Sequence, residues 1–289
     1  GLDELPNLQW LSLQDASHID YVIDEIAAAS AGTWLARIEP GLTFEPHALQ
    51  VFADYINARP MWHLMYCDED TREEDGALSQ PLFKPDLNLD LLRAQNYFGA
   101  FVLVEKEAFL VTGRYGTHRG AETYDLSLRV LDQVGPQAVG HVDQMLVHLP
   151  RASTRAMAPE AERLAVEDHL RRRGLAAEVG EGIVFGTRHI EYAWPKTPLV
   201  SIVIQTRDRE EYLRPLLDSL HEHTLYPNYE LIIVDNETRD PDAAAWLTTI
   251  PSDPRWRGRA QVLPMPGPFN WAAGANLGAE AASGEYILF

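Results

Sequence analysis

Cysteine is nearly missing from this chain: Cys67 stands alone among 289 residues. A single thiol excludes an intrachain disulfide and a multi-cysteine metal centre, and it fits a reducing compartment. Beside a strand-like run, Cys67 reads as plain core rather than as a nucleophile. Long apolar runs are missing too; none approaches the roughly 20 residues that cross a bilayer, so no membrane span is expected. The opening GLDELPNLQW lacks the basic start and apolar centre of a secretory leader. Basic residues are scarce, with 24 Lys+Arg against 43 Asp+Glu and a formal net charge of −19. A field of that sign repels nucleic acid and anionic membranes, so no nucleic-acid partner is expected. Two phosphate-cradling patterns are also absent, the G-x-G-x-x-G turn and the G-x-x-x-x-G-K-[ST] loop. A phosphorylated ligand would need help from a metal ion or from oriented backbone N–H groups.

What remains is the composition of a folded protein, 46% hydrophobic and 23% charged, of a length that suits one large domain or two ordinary ones. From Pro198 onward the pattern is regular. LVSIVI (199–204) and ELIIVD (230–235) are short, β-branched apolar runs, which predict buried strands. Between them Leu213, Leu216, Leu217 and Leu220 recur on one helical face. DPDAAAWLTTI predicts a helix, AQVLPM (260–265) a third strand, and Asn270 caps an Ala-rich helix that leads to a fourth strand, EYILF. Strands alternating with helices imply a parallel α/β sheet.

The first 150 residues are α/β but less regular. TWLARI, WHLMYCDED, AFVLVE and MLVHLP read as strands, and EPHALQVFADYINA and YDLSLRVLDQV as helices. PEAERLAVEDHLRRRGL (159–175) has Pro159 at a helix start and Gly174 at its end. Its three arginines suit a solvated helix end better than an anion site. Residues 151–197 are therefore expected to be a helical linker. One phrase is written twice: AAASAGTWLAR (27–37) and AEAASGEYILF (279–289) each run from an Ala-rich helix end through Gly32 or Gly284 to an aromatic residue, Trp34 or Tyr286.

In an open parallel sheet, ligands bind beyond the carboxyl ends of the strands. The first two C-terminal strands end in QTRDR and DNETRD, which would bring Thr206, Asp208, Asp235 and Asn236 to one crevice. Such groups can bond the edge of a base or a ribose hydroxyl. They can equally cap the segments that follow, and the residues alone leave both readings open.

PLVSIVIQTRDREEYLRPLLDSLHEHTLYPNYELIIVDN, followed by PGPFNWAAGANLGAEAASGEYILF, resembles the nucleotide-binding half of a family 2 glycosyltransferase with the GT-A fold. The resemblance implies a Rossmann-like, mostly parallel sheet flanked by helices, and a nucleotide-sugar donor held by Thr206, Asp208 and Asp235, with Asn270 close by. Gln205 departs from the family, which usually has proline there. The resemblance also implies an acidic D-x-D segment after YILF, whose carboxylates bind Mn²⁺ or Mg²⁺; these residues end before it. MYCDEDT…LFKPDLNLDLLRAQNYFGAFVLVEKEAFLVTGRYG…AETYDLSLRVLDQ…MLVHLPR is similar to the acceptor-side half of the same family. The implied organisation is then residues 1–150 as the acceptor-side half of one domain, 151–197 as linker and 198–289 as the front of the next.

The first half departs from the family where chemistry would sit. Ile38, Glu39, Pro40 and Gly41 replace the metal carboxylates, and of these only Glu39 could ligate. Thr123 occupies the place of the general base, and threonine accepts no proton near neutral pH. Glu122 and Asp125 flank it and could substitute only with a shifted geometry. His148 matches a family histidine that often helps bind the metal. Asp68, Glu69 and Asp70 match an acidic strand end on the acceptor side, or form a solvated charge cluster.

The resemblance implies transfer of a sugar from a nucleotide diphosphate to a hydroxyl of a glycan acceptor, in cell-surface polysaccharide or glycan synthesis. It implies a bacterial, cytoplasmic setting, at the inner face of the membrane. This chain by itself is expected to be inactive. The contrasting expectation is a degenerate glycosyltransferase that serves as a glycan-binding or scaffold module. Two complementary halves in reversed order are also expected to complete one another, as a permuted GT-A domain or as a swapped homodimer.

Overall fold

The computed structural model describes residues 19–116, 118–151 and 158–289. The leader reading of residues 1–10 and the start of the expected linker, 152–157, lie outside the described residues. The chain divides into two compact units, Gly1–Ala193 and Trp194–Phe289.

The first unit runs α1 (Ile19–Ala29), β1 (Trp34–Ala36), β2 (Thr43–Phe44), α2 (Ala48–Ala58), β3 (Leu64–Arg72), β4 (Leu78–Leu82), α3 (Leu89–Ala94), β5 (Val102–Glu105), α4 (Lys106–Val111), α5 (Glu122–Val134), β6 (Val139–Pro150), α6 (Pro159–Arg172), β7 (Ala177–Glu181) and β8 (Arg188–Tyr192). Its six-stranded sheet has the order β1-β5-β3-β6-β2, with β4 paired to β3. Only β3 and β6 run parallel; the other pairs are antiparallel. The parallel character expected of the whole chain thus belongs mainly to the second unit. A short hairpin such as β3–β4 can only return antiparallel, whereas a parallel neighbour needs a crossover.

Strand alternation divides the core of this unit in two. Leu64 and Tyr66 pack with Val104, Tyr124, Leu128 and Leu170 on one face. Met65 and Cys67 pack with Phe52, Phe101 and Leu146 on the other. Cys67 is fully buried, and burial pushes its thiol up to about 12.

The expected linker is corrected in two respects. Helix α6 is not free: Ala165, Val166 and Leu170 are buried in the first unit's core. The β7–β8 hairpin, which lies within the same 151–197 stretch, adds Val179 to the same cluster. The physical reason is that α6 carries a short apolar stripe, and such a stripe is stable only when buried. Gly174 sits at φ +66 just after α6, as its place at the helix end predicts.

The second unit runs β9 (Val200–Thr206), α7 (Glu210–His223), β10 (Tyr229–Asp235), α8 (Pro241–Thr249), β11 (Ala260–Pro264), α9 (Trp271–Ala281) and β12 (Tyr286–Leu288). All pairs in its sheet are parallel, in the order β11-β10-β9-β12. Ile202, Leu231 and Ile233 face Leu213, Leu217, Leu247 and the fully buried Trp256. Val203, Ile232 and Val234 face Met265 and Leu277 of the α9 side.

Among the described residues the strands of each unit form sheets of their own.

Candidate functional site

Strands β9 and β10 pair in register with Thr206 opposite Asp235, so the two loops that follow leave the sheet side by side. Thr206 is buried, and its carbonyl accepts the Asn236 N–H at 2.9 Å. Asp235 Oδ1 accepts from the Thr238 hydroxyl at 2.6 Å and from the Thr238 N–H at 3.0 Å. The Asp208 N–H donates to the same hydroxyl at 3.2 Å. Asp208 Oδ1 accepts the N–H groups of Arg239 and Asp240, the latter at 3.1 Å. These backbone donors, Asp240 first and then Arg239, hold the exposed Asp208 carboxyl below the usual carboxylate range. Asp208 and Glu237 both adopt left-handed backbone, at φ +50 and +58. Such conformations persist only where surrounding bonds over-determine them.

Thr206, Asp208 and Asp235 are therefore neighbours in one hydrogen-bonded loop pair, with Thr238 as the joint. Part of the carboxylate capacity caps the 236–240 loop, so the capping reading and the crevice reading describe the same residues. Asn236 differs. It is buried, and its Nδ2 donates to Met265 O at 2.9 Å and Gly267 O at 3.2 Å, bracing the loop between β11 and α9. Its buried Oδ1 has no hydrogen-bond partner among the described residues.

Asn270 caps α9, its Oδ1 accepting the Ala273 N–H at 3.0 Å. The chain reverses its direction of sheet growth here: β10 and β11 lie on one side of β9, and α9 crosses back to place β12 on the other. Ligands in open α/β sheets sit outside the carboxyl ends of strands at such a reversal. Gln205, near the end of β9, donates from Nε2 to Trp271 O at 3.1 Å in the first turn of α9.

In the first unit, Asp68, Glu69 and Asp70 are not a solvated cluster; all three are buried. Asp68 Oδ1 accepts from the Lys84 N–H at 2.9 Å and lies 2.9 Å from His141 Nε2. Glu69 Oε2 accepts from Lys84 Nζ at 3.0 Å and from the Ala100 N–H at 3.0 Å, and Lys84 Nζ also reaches Phe98 O at 2.9 Å. Gly99, at φ +86, lets the chain pass so close that a Cβ would sit 2.3 Å from Glu69 Oε2. Buried charges persist when they are paired and hydrogen-bonded, and these are.

Glu122 and Asp125 flank Thr123 at the start of α5, as expected, but each is engaged. Glu122 lies 3.6 Å from Arg37 Nη1. Buried Asp125 accepts from Arg129 Nε at 2.9 Å, and the two terminal nitrogens of Arg129 donate to Thr112 O and Arg114 O at 2.6 Å. That guanidinium fixes the preceding loop, which gives Asp125 a structural task. His148 is buried, with Nδ1 2.6 Å from Asp70 Oδ1 and Nε2 3.2 Å from Glu45 Oε1. Glu39 lies on an exposed turn. His148 and Glu39 do not join in a ligand set, and no cluster suited to a metal ion occurs among the described residues. With both His148 nitrogens facing carboxylates, His148 and Glu39 do not form the expected Mn²⁺ or Mg²⁺ site.

Thr238 and Lys84 went unremarked in the sequence. Thr238 had a readable signal, an Asp three residues upstream in a turn-rich segment. Lys84 had none, because its partners lie on other elements.

Residues 201–289 match the family model described as glycosyl transferase family 2. Among curated proteins, the chain is 35% identical over 272 residues to the O-antigen biosynthesis protein RfbC of Myxococcus xanthus, covering 91% of this chain and 21% of that protein. It is 33% identical over 300 residues to the uncharacterized protein y4gI of Sinorhizobium fredii (strain NBRC 101917 / NGR234), covering 98% of this chain and 32% of that protein. The chain thus spans a third or less of the length of each relative. No helix among the described residues is long and apolar enough to cross a membrane.

Proposed function

We propose, from the membership of residues 201–289 in glycosyltransferase family 2, that the second unit binds the nucleotide of a sugar donor. Thr206, Asp208 and Asp235 hold the base and ribose, and Asn270 lies beside the same nucleotide. The observation that supports this most is the joint at Thr238, which ties the Asp208 and Asp235 loops together beyond two parallel neighbouring strands. In the whole protein the reaction breaks the bond between sugar and diphosphate while the acceptor hydroxyl gives up its proton. A glycan acceptor in polysaccharide synthesis is the reading that the O-antigen relative supports.

Two written copies of one phrase support a tandem organisation. Each copy folds as helix, glycine and short strand: α1, Gly32 and β1, then α9, Gly284 and β12. In the first, the strand has antiparallel β5 on one side; in the second, it has parallel β9. Superposed, the two strands would join the sheets into one run, which is what successive domains of one kind would produce. A swapped homodimer would use these same edges, and sedimentation of the chain would reveal it.

This chain by itself performs no transfer, on the same reading, because Glu122 and Asp125 are held by Arg37 and Arg129. That engagement also favours a second role for the first unit, as a glycan-binding or scaffold module. Calorimetry with uridine and guanosine nucleotides, with and without Mn²⁺, tests the main reading. Binding lost in Asp235→Ala is expected; no heat with any nucleotide at millimolar concentration would refute it. Metal-dependent sugar transfer by these 289 residues would refute the inactive reading.

A further inference from the structure

The first unit carries a cavity where β5 ends and β3 begins. Because these strands run antiparallel with Leu64 opposite Val104, the residues that flank the pair, His63 and Glu105, stand side by side. The Glu105 N–H donates to His63 O at 2.8 Å, and His63 Nδ1 meets Glu105 Oε2. Glu105 holds the N-cap position of α4, yet its carboxylate makes no capping bond there. The cavity beside it measures about 270 Å³ and is lined mostly by apolar surface, with Ala108 and Val111 of α4 and Val134 of α5 as its wall. Glu107 also lines it, and the Glu107 carboxylate has no hydrogen-bond or ion-pair partner among the described residues. Lys106, between the two glutamates, donates from Nζ to Ser30 O at 2.5 Å and does not line the cavity.

We propose that this cavity binds a small organic cation, an ammonium or guanidinium group on a short alkyl chain. The charged head sits between Glu105 and Glu107, and the chain lies along Ala108, Val111 and Val134. Apolar walls with a few convergent polar groups are the ordinary make-up of a small-molecule site. Such sites run from about 300 Å³ upward, so this one suits a group the size of one long side chain. An anion would meet two carboxylates. A neutral chain would shield Glu107 from water and give it no partner, which is costly. A cation satisfies both walls, and the chain's net charge of −19 draws cations to its surface. The cavity belongs to the first unit, so the proposal does not rest on the nucleotide reading of the second.

This chemistry can come from a free amine or from a basic side chain of another protein. n-Butylammonium and n-butylguanidinium represent the first source, and capped tripeptides with a central lysine or arginine the second. n-Butanol is the neutral control and butyrate the anionic one. Titrated into the intact chain at low ionic strength, both kinds of cation should shift the amide resonances of residues 105–111 and 133–134, and added salt should weaken the effect. The cations should bind at least about tenfold more tightly than n-butanol, as a charge-assisted hydrogen bond requires. Butyrate should leave these resonances in place. Glu105→Gln should weaken cation binding about tenfold, and Glu107→Gln, at an exposed position, about threefold. Val111→Lys brings a competing ammonium to the mouth and should abolish binding. Tighter binding of the free amines assigns a small-molecule ligand, and tighter binding of the tripeptides assigns a protein side chain; either result supports the cation site. Unmoved resonances with every cation at tens of millimolar, or equal affinity for n-butanol and n-butylammonium, would overturn it. If Glu105→Gln unfolds the first unit through loss of the His63 contact, the two exposed positions decide: wild-type binding in both Glu107→Gln and Val111→Lys removes the site.

Discussion

Asp235 holds the Thr238 hydroxyl at 2.6 Å, and through that hydroxyl the Asp208 loop is fastened to the Asp235 loop. The hydroxyl donates to the carboxylate and accepts the Asp208 N–H, which valine cannot do. Thr238→Val should weaken nucleotide binding by about five- to tenfold, as expected for one or two lost hydrogen bonds. Thr238→Ser should restore it. Equal affinities for Val and wild type, measured by calorimetry, would remove Thr238 from the site.

Acid should reach this loop late. The N–H groups of Asp240 and Arg239 depress the Asp208 pKa, so their contribution is complete above the ordinary carboxylate value of about 3.9 and is lost as pH falls through the lowered one. Carbon-13 titration of the Asp208 carboxyl should give a midpoint below that ordinary value. Asp208→Asn should remove the part of the acid-dependent shift change at the Arg239 and Asp240 amides that follows the Asp208 midpoint. An ordinary midpoint would mean that the backbone donors do not hold the carboxylate.

Helix α9 approaches β9 closely at Gly278, where a Cβ would lie 2.2 Å from Val203 Cγ1. Gly278→Ala should destabilise the second unit by about 1–3 kcal/mol through overpacking. Val203→Ala should offset part of that loss when the two are combined. Urea unfolding of the single and double variants checks this, and simple additivity would count against the contact.

In the first unit, Lys84→Met leaves Glu69 as a buried carboxylate without its cation, since the Lys84 side chain is 1% exposed and that of Glu69 9%. Loss of one partner of a buried pair costs about 3–5 kcal/mol. The double variant Lys84→Met/Glu69→Gln should recover much of it. A loss below about 1 kcal/mol in Lys84→Met, the range of an exposed pair, would show that water reaches the site.

The strands and helices of the second unit were legible because each is a contiguous run with one period. Val200–Thr206 and Tyr229–Asp235 begin and end within two residues of the apolar runs. The Asn270 cap was legible for the same reason, as its bond is local. Long-range partnerships were not. Asp68, Glu69 and Asp70 look like surface charge in sequence, and only Lys84, His141 and His148, brought in from β6 and the segment after β4, make them interior residues. The α6 segment looked like a linker because the core it joins is built from residues far from it in the chain. Gln205 stood out as a departure, but its reason lies 69 residues away at Gly274.

The burial of Cys67 gives the molecule a built-in clock. Its thiol is fully enclosed and raised to about 12, and no other thiol competes with it. The thiolate is the reactive form, so an alkylating reagent can modify Cys67 only when the α2-facing side of the first unit opens. The labelling rate at fixed pH then counts openings of that layer, while the second unit, which has no cysteine, stays silent. A ligand that slows the clock must act on the first unit, and one that binds without slowing it leaves that layer's opening as it was.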